Sequence, residues 1–176
     1  MKKITVLFIG LFLLVGCSTL KINVDYDESF AFKDKNSFVI KHKDKAGDDT
    51  LTNDRIINSL IADLKSKNYK KVSQNEADLI FVFHTSVKDK MELQTDYNTM
   101  GFGRYRFGGG MTTTTTSYNY VEGTLIIDAL NPKNEKIVWR VVGTMEIKGI
   151  KSPKEKEEKI NKLILKLMKK FPIHKN

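Results

Sequence analysis

The sequence predicts an α+β fold, in which a mainly antiparallel β-sheet packs against two amphipathic helices after a cleaved lipoprotein signal peptide. Several segments alternate apolar and polar residues with the period of a strand, and two segments carry apolar residues at helical spacing. An apolar run at the N-terminus ends at the only cysteine. With 176 residues, 40% hydrophobic and 29% charged, the chain suits one domain and neither wholesale disorder nor a multi-span membrane protein.

The N-terminus has the three zones of a secretory signal peptide. Two lysines precede an apolar run over residues 4–15, which is shorter than the roughly 20 residues that span a bilayer. The run ends in Leu14-Val15-Gly16-Cys17, which resembles a bacterial lipobox, whose thiol receives a diacylglyceryl group before cleavage. We therefore predict a signal peptide over 1–16, a lipidated Cys17 with a short tether over 17–20, and a single domain over 21–173.

Lipidation of Cys17 predicts a lasting membrane anchor through N-terminal acyl chains. Two or three acyl chains keep a protein on the membrane stably, whereas a single chain binds only marginally. Ser18 follows the cysteine, where enterobacteria use Asp as an inner-membrane retention signal, so we expect the outer membrane, with the domain facing the periplasm. The alternative is an ordinary buried thiol in a secretory or membrane-anchor segment.

The mature chain is basic. Removal of residues 1–16 takes away two lysines, so the formal net charge falls from +9 to +7. This balance suits an anionic membrane surface, lipopolysaccharide or an acidic glycan, and export argues against nucleic acid. Lysine-rich solvated faces are the simpler interpretation.

The first part of the domain predicts two strands and a loop. Residues 21–26 alternate as a half-buried strand, and Phe38-Val39-Ile40 indicates a second. The polar stretch from Lys41 to Asp54 predicts a loop. Its adjacent Asp48 and Asp49 raise a calcium hypothesis, but the EF-hand spacing is absent and a solvated turn is favoured.

The next segment predicts a helix and then a central strand. The helix starts at Thr52-Asn53-Asp54, which offer capping oxygens, and Asn68 suits the left-handed conformation that ends helices. Its apolar face consists of Ile56, Ile57, Leu60, Ile61 and Leu64. Residues 77–87 are almost continuously apolar, which indicates a strand buried on both faces for part of its length.

Residues 100–117 form the unusual segment of the chain. Glycines alternate with aromatic residues and arginines up to Gly110, and Thr112 to Thr116 follow unbroken. Such residues can stack on bases or sugars, but a mobile hairpin tip returning into a threonine-rich strand is favoured. No dinucleotide-binding fingerprint is present, because the third glycine and a following helix are missing.

The clearest hairpin joins residues 118–130 to residues 136–148 through a turn that contains Pro132. Asp128 and Arg140 lie on these two strands, and cross-strand ion pairing is favoured over a catalytic role.

The C-terminal segment predicts a second helix. Ser152-Pro153-Lys154-Glu155 is a capping box with proline at the first helical position, and Pro172 ends the helix. The apolar stripe consists of Ile160, Leu163, Ile164, Leu167, Met168 and Phe171. We expect this stripe to dock on the sheet, and the alternative is a basic helix lying on a membrane.

Motifs spread along the chain resemble a bacterial lipoprotein family, domain of unknown function 4136, over roughly residues 18–173. The motifs are Phe32 to Ile40, Tyr69, Ala77-Asp78-Leu79, Tyr120-x-Glu122-Gly123-Thr124-Leu125-x-Ile127-Asp128, Val138-Trp139-Arg140 and Lys170-Phe171-Pro172. The resemblance implies an outer-membrane-associated lipoprotein with an α+β domain and no established activity.

These features favour a non-catalytic binding or assembly module at the outer membrane, with an envelope protein as its partner. The alternative is a carrier or sensor of a small apolar or anionic ligand between sheet and helices. An enzyme using His84 as a base beside Asp128 is less favoured, because a histidine in an apolar strand is usually structural. We expect no cofactor and no metal, and the sequence identifies no ligand.

Overall fold

The computed structural model describes residues 20–44, 46–99 and 111–172, with the backbone alone at residues 97–99, 111 and 112. Its strands are β1 Lys21–Tyr26, β2 Ser37–Ile40, β3 Lys70–Lys71, β4 Leu79–Thr99, β5 Met111–Leu130 and β6 Ile137–Glu146. Its helices are α1 Thr50–Ser66 and α2 Pro153–Met168. Neither of these two helices has both the length and the apolar character needed to cross a membrane.

The six strands form one mixed sheet in the order β1-β6-β5-β4-β2-β3. Neighbours are antiparallel except that β2 runs parallel to both β3 and β4. The turn after Leu130 joins the antiparallel neighbours β5 and β6, whereas α1 provides the long crossover between the parallel strands β2 and β3. This arrangement confirms the predicted α+β class with a mostly antiparallel sheet.

The core lies between one face of the sheet and the two helices. Because alternate residues of a strand share a face, Phe81 and Phe83 of β4 point to the same side as Trp139 of β6. All three are buried, and Phe171 packs edge-on to Trp139 with ring centroids 4.9 Å apart. The helices close this core with Leu60, Leu64, Ile164 and Leu167.

The helix ends follow the capping chemistry of the sequence. Ser152 accepts a hydrogen bond from the Glu155 amide at 3.1 Å, which confirms the start of α2. Asn68 has a φ of 66°, as predicted for the residue that ends α1. The start of α1 differs from the prediction, because Asp49 is the cap and accepts from the Thr52 amide at 3.0 Å, so the helix begins earlier, at Thr50.

Strands β4 and β5 are longer than the sequence predicts. β4 continues beyond residue 87 to Thr99, and β5 begins at Met111. Their register runs without interruption from Ile80 opposite Leu130 to Thr99 opposite Met111. The threonine run favours this extended pairing, because threonine has a high strand propensity. The signal peptide, Cys17 and the glycine-rich residues 100–110 lie outside the described residues.

Candidate interaction surface

The far ends of β4 and β5 extend beyond the rest of the sheet. Strand β6 pairs with β5 only as far as Glu146, which lies opposite Glu122. Strand β2 pairs with β4 only up to Phe81. Within the described chain, residues 89–99 and 111–121 therefore have only each other as strand partners. One further backbone hydrogen bond reaches this segment, from the Ile147 amide to the Val121 carbonyl. We call this two-stranded segment the ribbon. Its eleven residue pairs give a length of roughly 36 Å at about 3.3 Å per residue.

The register divides the ribbon and its base into two faces of different chemistry, because directly opposite residues share a face. The face that we call neutral carries Val87, Asp89, Met91, Leu93 and Thr95, together with Thr113, Thr115, Ser117, Asn119 and Val121. The face that we call charged carries Lys88, Lys90, Glu92, Gln94 and Asp96, together with Thr114, Thr116, Tyr118, Tyr120 and Glu122. Asp89 is the only charged residue among these positions of the neutral face.

The neutral face leaves its large apolar side chains in solvent. Val87, Met91 and Leu93 are 63%, 68% and 65% exposed. They continue the same alternation that buries Phe81 and Phe83 nearer the start of β4, and they lie on the side of the sheet that carries the helices. Exposed apolar side chains that share one face are typical of contact surfaces.

The charged face presents a pair of ordered tyrosines. Tyr118 is 52% exposed and stacks on Tyr120 with ring centroids 6.0 Å apart. The Tyr118 hydroxyl donates to Glu146 Oε1 at 2.9 Å, and this carboxylate raises the pKa of Tyr118 above its ordinary value. An ion pair between Lys90 and Glu122, with Nζ and Oε1 3.8 Å apart, lies beside the tyrosines. The stacking contact and the hydrogen bond thus hold the ring of Tyr118 in place.

The predicted Asp128–Arg140 ion pair is present on the helix-free face of the sheet. The two residues are register partners, and Arg140 donates from Nε at 2.6 Å and from Nη2 at 2.7 Å to the two carboxylate oxygens. The carboxylate raises the pKa of the Arg140 guanidinium. His84 is exposed, and its strand position pairs with Ile126 rather than with Asp128. The geometry gives this pair a structural explanation, since both carboxylate oxygens already accept from Arg140.

One cluster in the described chain has the residue types of a metal site. Ligand atoms of His42, Asp44 and Asp48 lie within 4.8 Å of one another. The His42 ring stacks on Phe83 with centroids 4.2 Å apart, and Asp44 accepts from Asn53 at 2.7 Å. The two aspartates are exposed, and exposed carboxylates are common without a bound ion.

Asp49, the other half of the calcium hypothesis, has a different role. It caps α1 and accepts a hydrogen bond from Lys156 Nζ at 2.7 Å. The Lys156 and Thr52 hydrogen bonds lower its pKa to about 2. Its carboxylate therefore ties the start of α1 to α2.

The space between sheet and helices is filled with side chains. Trp139, Phe81 and Leu64 are fully buried there, and Phe171 contacts both aromatic rings. An open depression near the first turns of the two helices is lined by Asp49, Leu51, Arg55, Ile150, Lys151, Ser152, Pro153 and Lys156. It lies at the surface and does not reach the core between sheet and helices.

Sequence reasoning ended this strand at residue 87 and missed its continuation over residues 88–96. A signal for this part was present, because Val87, Met91 and Leu93 alternate with Lys88, Lys90 and Glu92. Such alternation predicts a two-faced strand. The prediction ended the strand too early because the polar residues follow an apolar run directly.

A sequence profile described as "Domain of unknown function (DUF4136)" matches residues 22–173. This match confirms the family resemblance found in the sequence motifs. No match is found among curated proteins.

Two solved structures are among those that match this chain. A PDZ domain protein from Parabacteroides distasonis superposes with a TM-score of 0.52 at 15% identity, covering 90% of this chain and 36% of that chain. This chain therefore spans about a third of that protein's length. The PelC dodecamer from Paraburkholderia phytofirmans superposes with a TM-score of 0.43 at 12% identity, covering 85% of this chain and 95% of that chain. At these identities the first likeness concerns the fold alone.

Proposed function

The chain belongs to the family described as "Domain of unknown function (DUF4136)", and from that premise we propose that it is a lipid-anchored, non-catalytic binding module of the bacterial envelope. In this proposal Cys17 carries the acyl chains at the outer membrane, and the charged face of the ribbon binds an envelope protein in the periplasm.

The sequence around Cys17 supports the anchor. The basic start, the short apolar run and the Leu-x-Gly-Cys ending occur together, as in bacterial lipoproteins. The folded domain begins at Lys21, so few residues separate the anchor from the sheet. The anchor therefore holds the domain close to the membrane surface.

The half-exposed and already ordered Tyr118 carries the proposal of a protein partner. Tyrosine is enriched in the centres of protein interfaces, and a ring fixed beforehand loses little conformational freedom on binding. Stacking on Tyr120 and the hydrogen bond to Glu146 supply this order. The neighbouring Lys90–Glu122 pair adds charges that select a complementary partner.

The filled interior favours this function over the carrier alternative. A ligand held between sheet and helices would have to displace Phe171 or Trp139, whose rings are in direct contact. A surface that projects from the sheet requires no such rearrangement.

Photo-crosslinking in living cells tests the proposed contact. p-Benzoylphenylalanine placed at Tyr118 is expected to give a discrete protein adduct, while the same residue at Leu165, 57% exposed on α2, is the matched control. An adduct at Leu165 and none at Tyr118 contradicts the assignment of the ribbon.

A ribbon-trimmed variant provides a second test. Lys90 and Tyr120 are directly opposite each other, so residues 91–119 can be replaced by an Asn-Gly turn that closes the shortened hairpin. We expect this variant to fold and, in affinity purification from solubilised membranes, to lose the partner that the Tyr118 crosslink identifies. Retention of the partner on a folded trimmed variant contradicts the proposal.

The anchor is tested separately with Cys17→Ser. Metabolic labelling with a palmitate analogue is expected to label the wild-type chain and not this variant, and the variant is expected to leave the membrane fraction. Labelling of Cys17→Ser contradicts lipidation at this cysteine.

A further inference from the structure

We propose that the neutral face of the ribbon lies on the lipid bilayer that holds the anchor, which leaves the charged face open to the partner protein. The inference rests on the lipid anchor of the proposed function. It gives the lipid bilayer as the contact of the exposed apolar side chains, which the proposed protein contact does not use.

The anchor and the ribbon are at the same end of the sheet. The register places Lys21, Thr144, Thr124 and Ser86 in one row across four adjacent strands. The chain enters β1 at this row, and the ribbon begins three residues beyond Ser86 along β4. Adjacent strands are about 4.8 Å apart, so the entry point of the chain is only about 14 Å from β4.

The tether is short compared with the elements around it. Residues 17–20 span at most about 14 Å when extended, whereas the six residues of β1 extend about 20 Å. The sheet therefore cannot stand between the bilayer and the ribbon, because the tether does not reach past β1. The ribbon is roughly 36 Å long, so it also cannot point straight at the bilayer without entering it.

Entry into the hydrocarbon is unfavourable for a two-stranded ribbon. Its two outer edges carry backbone N–H and C=O groups that have no strand partner within the described chain, and hydrocarbon offers them none. The remaining orientation places the ribbon along the surface, at the level of the lipid headgroups.

The chemistry of the two faces decides which one is turned to the lipid. The charged face carries five ionisable Lys, Asp and Glu side chains, which lose hydration on contact with acyl chains, whereas the neutral face carries one, Asp89, beside the exposed Val87, Met91 and Leu93. The helices lie on the neutral side of the sheet, and the exposed Lys162 and Lys166 of α2 there suit anionic headgroups.

The covalent anchor makes a weak lipid contact persistent. Three apolar side chains bind a bilayer poorly from solution, but a tether of a few residues keeps them at a high effective concentration beside the surface. The contact therefore depends on the tether length as well as on the side chains.

The single cysteine allows a direct test in vitro. The chain from Cys17 onward is coupled to phosphatidylcholine vesicles that contain maleimide-headgroup phosphatidylethanolamine and lipids brominated near the top of the acyl chains. Leu93→Trp reports the neutral face, and Gln94→Trp on the charged face is the matched control. The native Trp139 is fully buried and gives a constant background.

We expect brominated lipid to quench the fluorescence of L93W at least about twofold more than that of Q94W. Coupling through a long polyethylene glycol spacer is expected to reduce this difference, because it removes the constraint of the short tether. Equal quenching at both positions, or at neither, overturns the inference, and a protein crosslink at Leu93 in cells without quenching assigns the face to a protein instead. Chemical coupling supplies the anchor here, so this result is independent of the Cys17→Ser labelling.

Discussion

The two halves of β4 follow the same alternation and reach opposite outcomes. Phe81 and Phe83 in the first half are buried against the helices, whereas Met91 and Leu93 in the second half are mostly exposed. The difference comes from the neighbours, because the first half has strands or helices beside it, whereas β5 is the only neighbour of the second half among the described residues. Periodicity therefore fixes which face a side chain shares, while burial depends on what the tertiary structure places against that face.

The largest expected effect comes from a substitution in the core between the sheet and the helices. Trp139→Ala should lower the free energy of unfolding by about 3–5 kcal/mol, because it removes a fully buried indole in contact with Phe171. Urea denaturation of the purified domain measures it. A loss below about 1 kcal/mol would show that the packing around this ring is not as described.

The two partners of the Asp128–Arg140 ion pair should differ in the cost of their removal, because only Asp128 is buried. Arg140→Leu is expected to cost about 2–4 kcal/mol, because it leaves the Asp128 carboxylate, only 3% exposed, without its guanidinium. Asp128→Asn should cost less, since the Arg140 side chain is 44% exposed and reaches water. Urea denaturation of both variants at pH 7 gives the comparison, and equal costs contradict it. In the ribbon, loss of the partly exposed Lys90–Glu122 pair should cost well under about 1 kcal/mol.

Replacement of Gly143 in β6 by a larger residue should destabilise the domain. A Cβ at Gly143 meets Leu167 Cδ2 at 2.7 Å, so Gly143→Ala should cost about 1–3 kcal/mol through displacement of the α2 side chain. Gly149→Ala is the matched control, because its added methyl group contacts nothing within 4 Å. Thermal unfolding of both variants checks this, and a lower Tm for Gly149→Ala than for Gly143→Ala contradicts it.

The cap of α1 should make stability depend on acid pH. Since the folded state lowers the pKa of Asp49 to about 2 from 3.8, its contribution is present above about pH 4 and is lost as the pH falls toward 2. Asp49→Ala should cost about 1 kcal/mol at pH 7 and reduce the slope of stability between pH 4 and 2. Urea denaturation across this pH range measures both, and an unchanged slope argues against the cap.

The smallest effect is expected in the ribbon. Leu93→Ala and Met91→Ala should each change the free energy of unfolding by less than about 0.5 kcal/mol, because both side chains are already in solvent. The same urea titration applies. A loss of unfolding free energy comparable to that of Trp139→Ala would mean that the ribbon packs against the helices or the rest of the sheet.

Much of the fold could be predicted from local chemistry. The capping box at Ser152, the left-handed Asn68 and the Asp128–Arg140 pairing follow from residue type and spacing, and the structure shows all three. The start of α1 could not be decided, because Asp49 and the predicted Thr52 start both offer capping oxygens. Asp49 accepts from Thr52 and from the distant Lys156, and the second contact is not visible in the sequence.

The candidate surface was less accessible to sequence reasoning. Residues 87–96 alternate clearly, yet no local signal shows that this alternation lies outside the core. The stacked Tyr118 and Tyr120 are two residues apart, but the contact of Tyr118 with Glu146 depends on the pairing of β5 with β6. Lipidation of Cys17 rests on the sequence and stays a prediction.

Hydrogen–deuterium exchange in isolated envelope membranes, compared with the purified unlipidated domain, tests the central claim most directly. The account predicts slower amide exchange in residues 88–96 and 113–122 on the membrane, with unchanged exchange in the body strands around Phe81 and Trp139. Unchanged exchange in the ribbon, or new protection confined to the helix-free face around Asp128, would contradict the claim that the ribbon is the binding element.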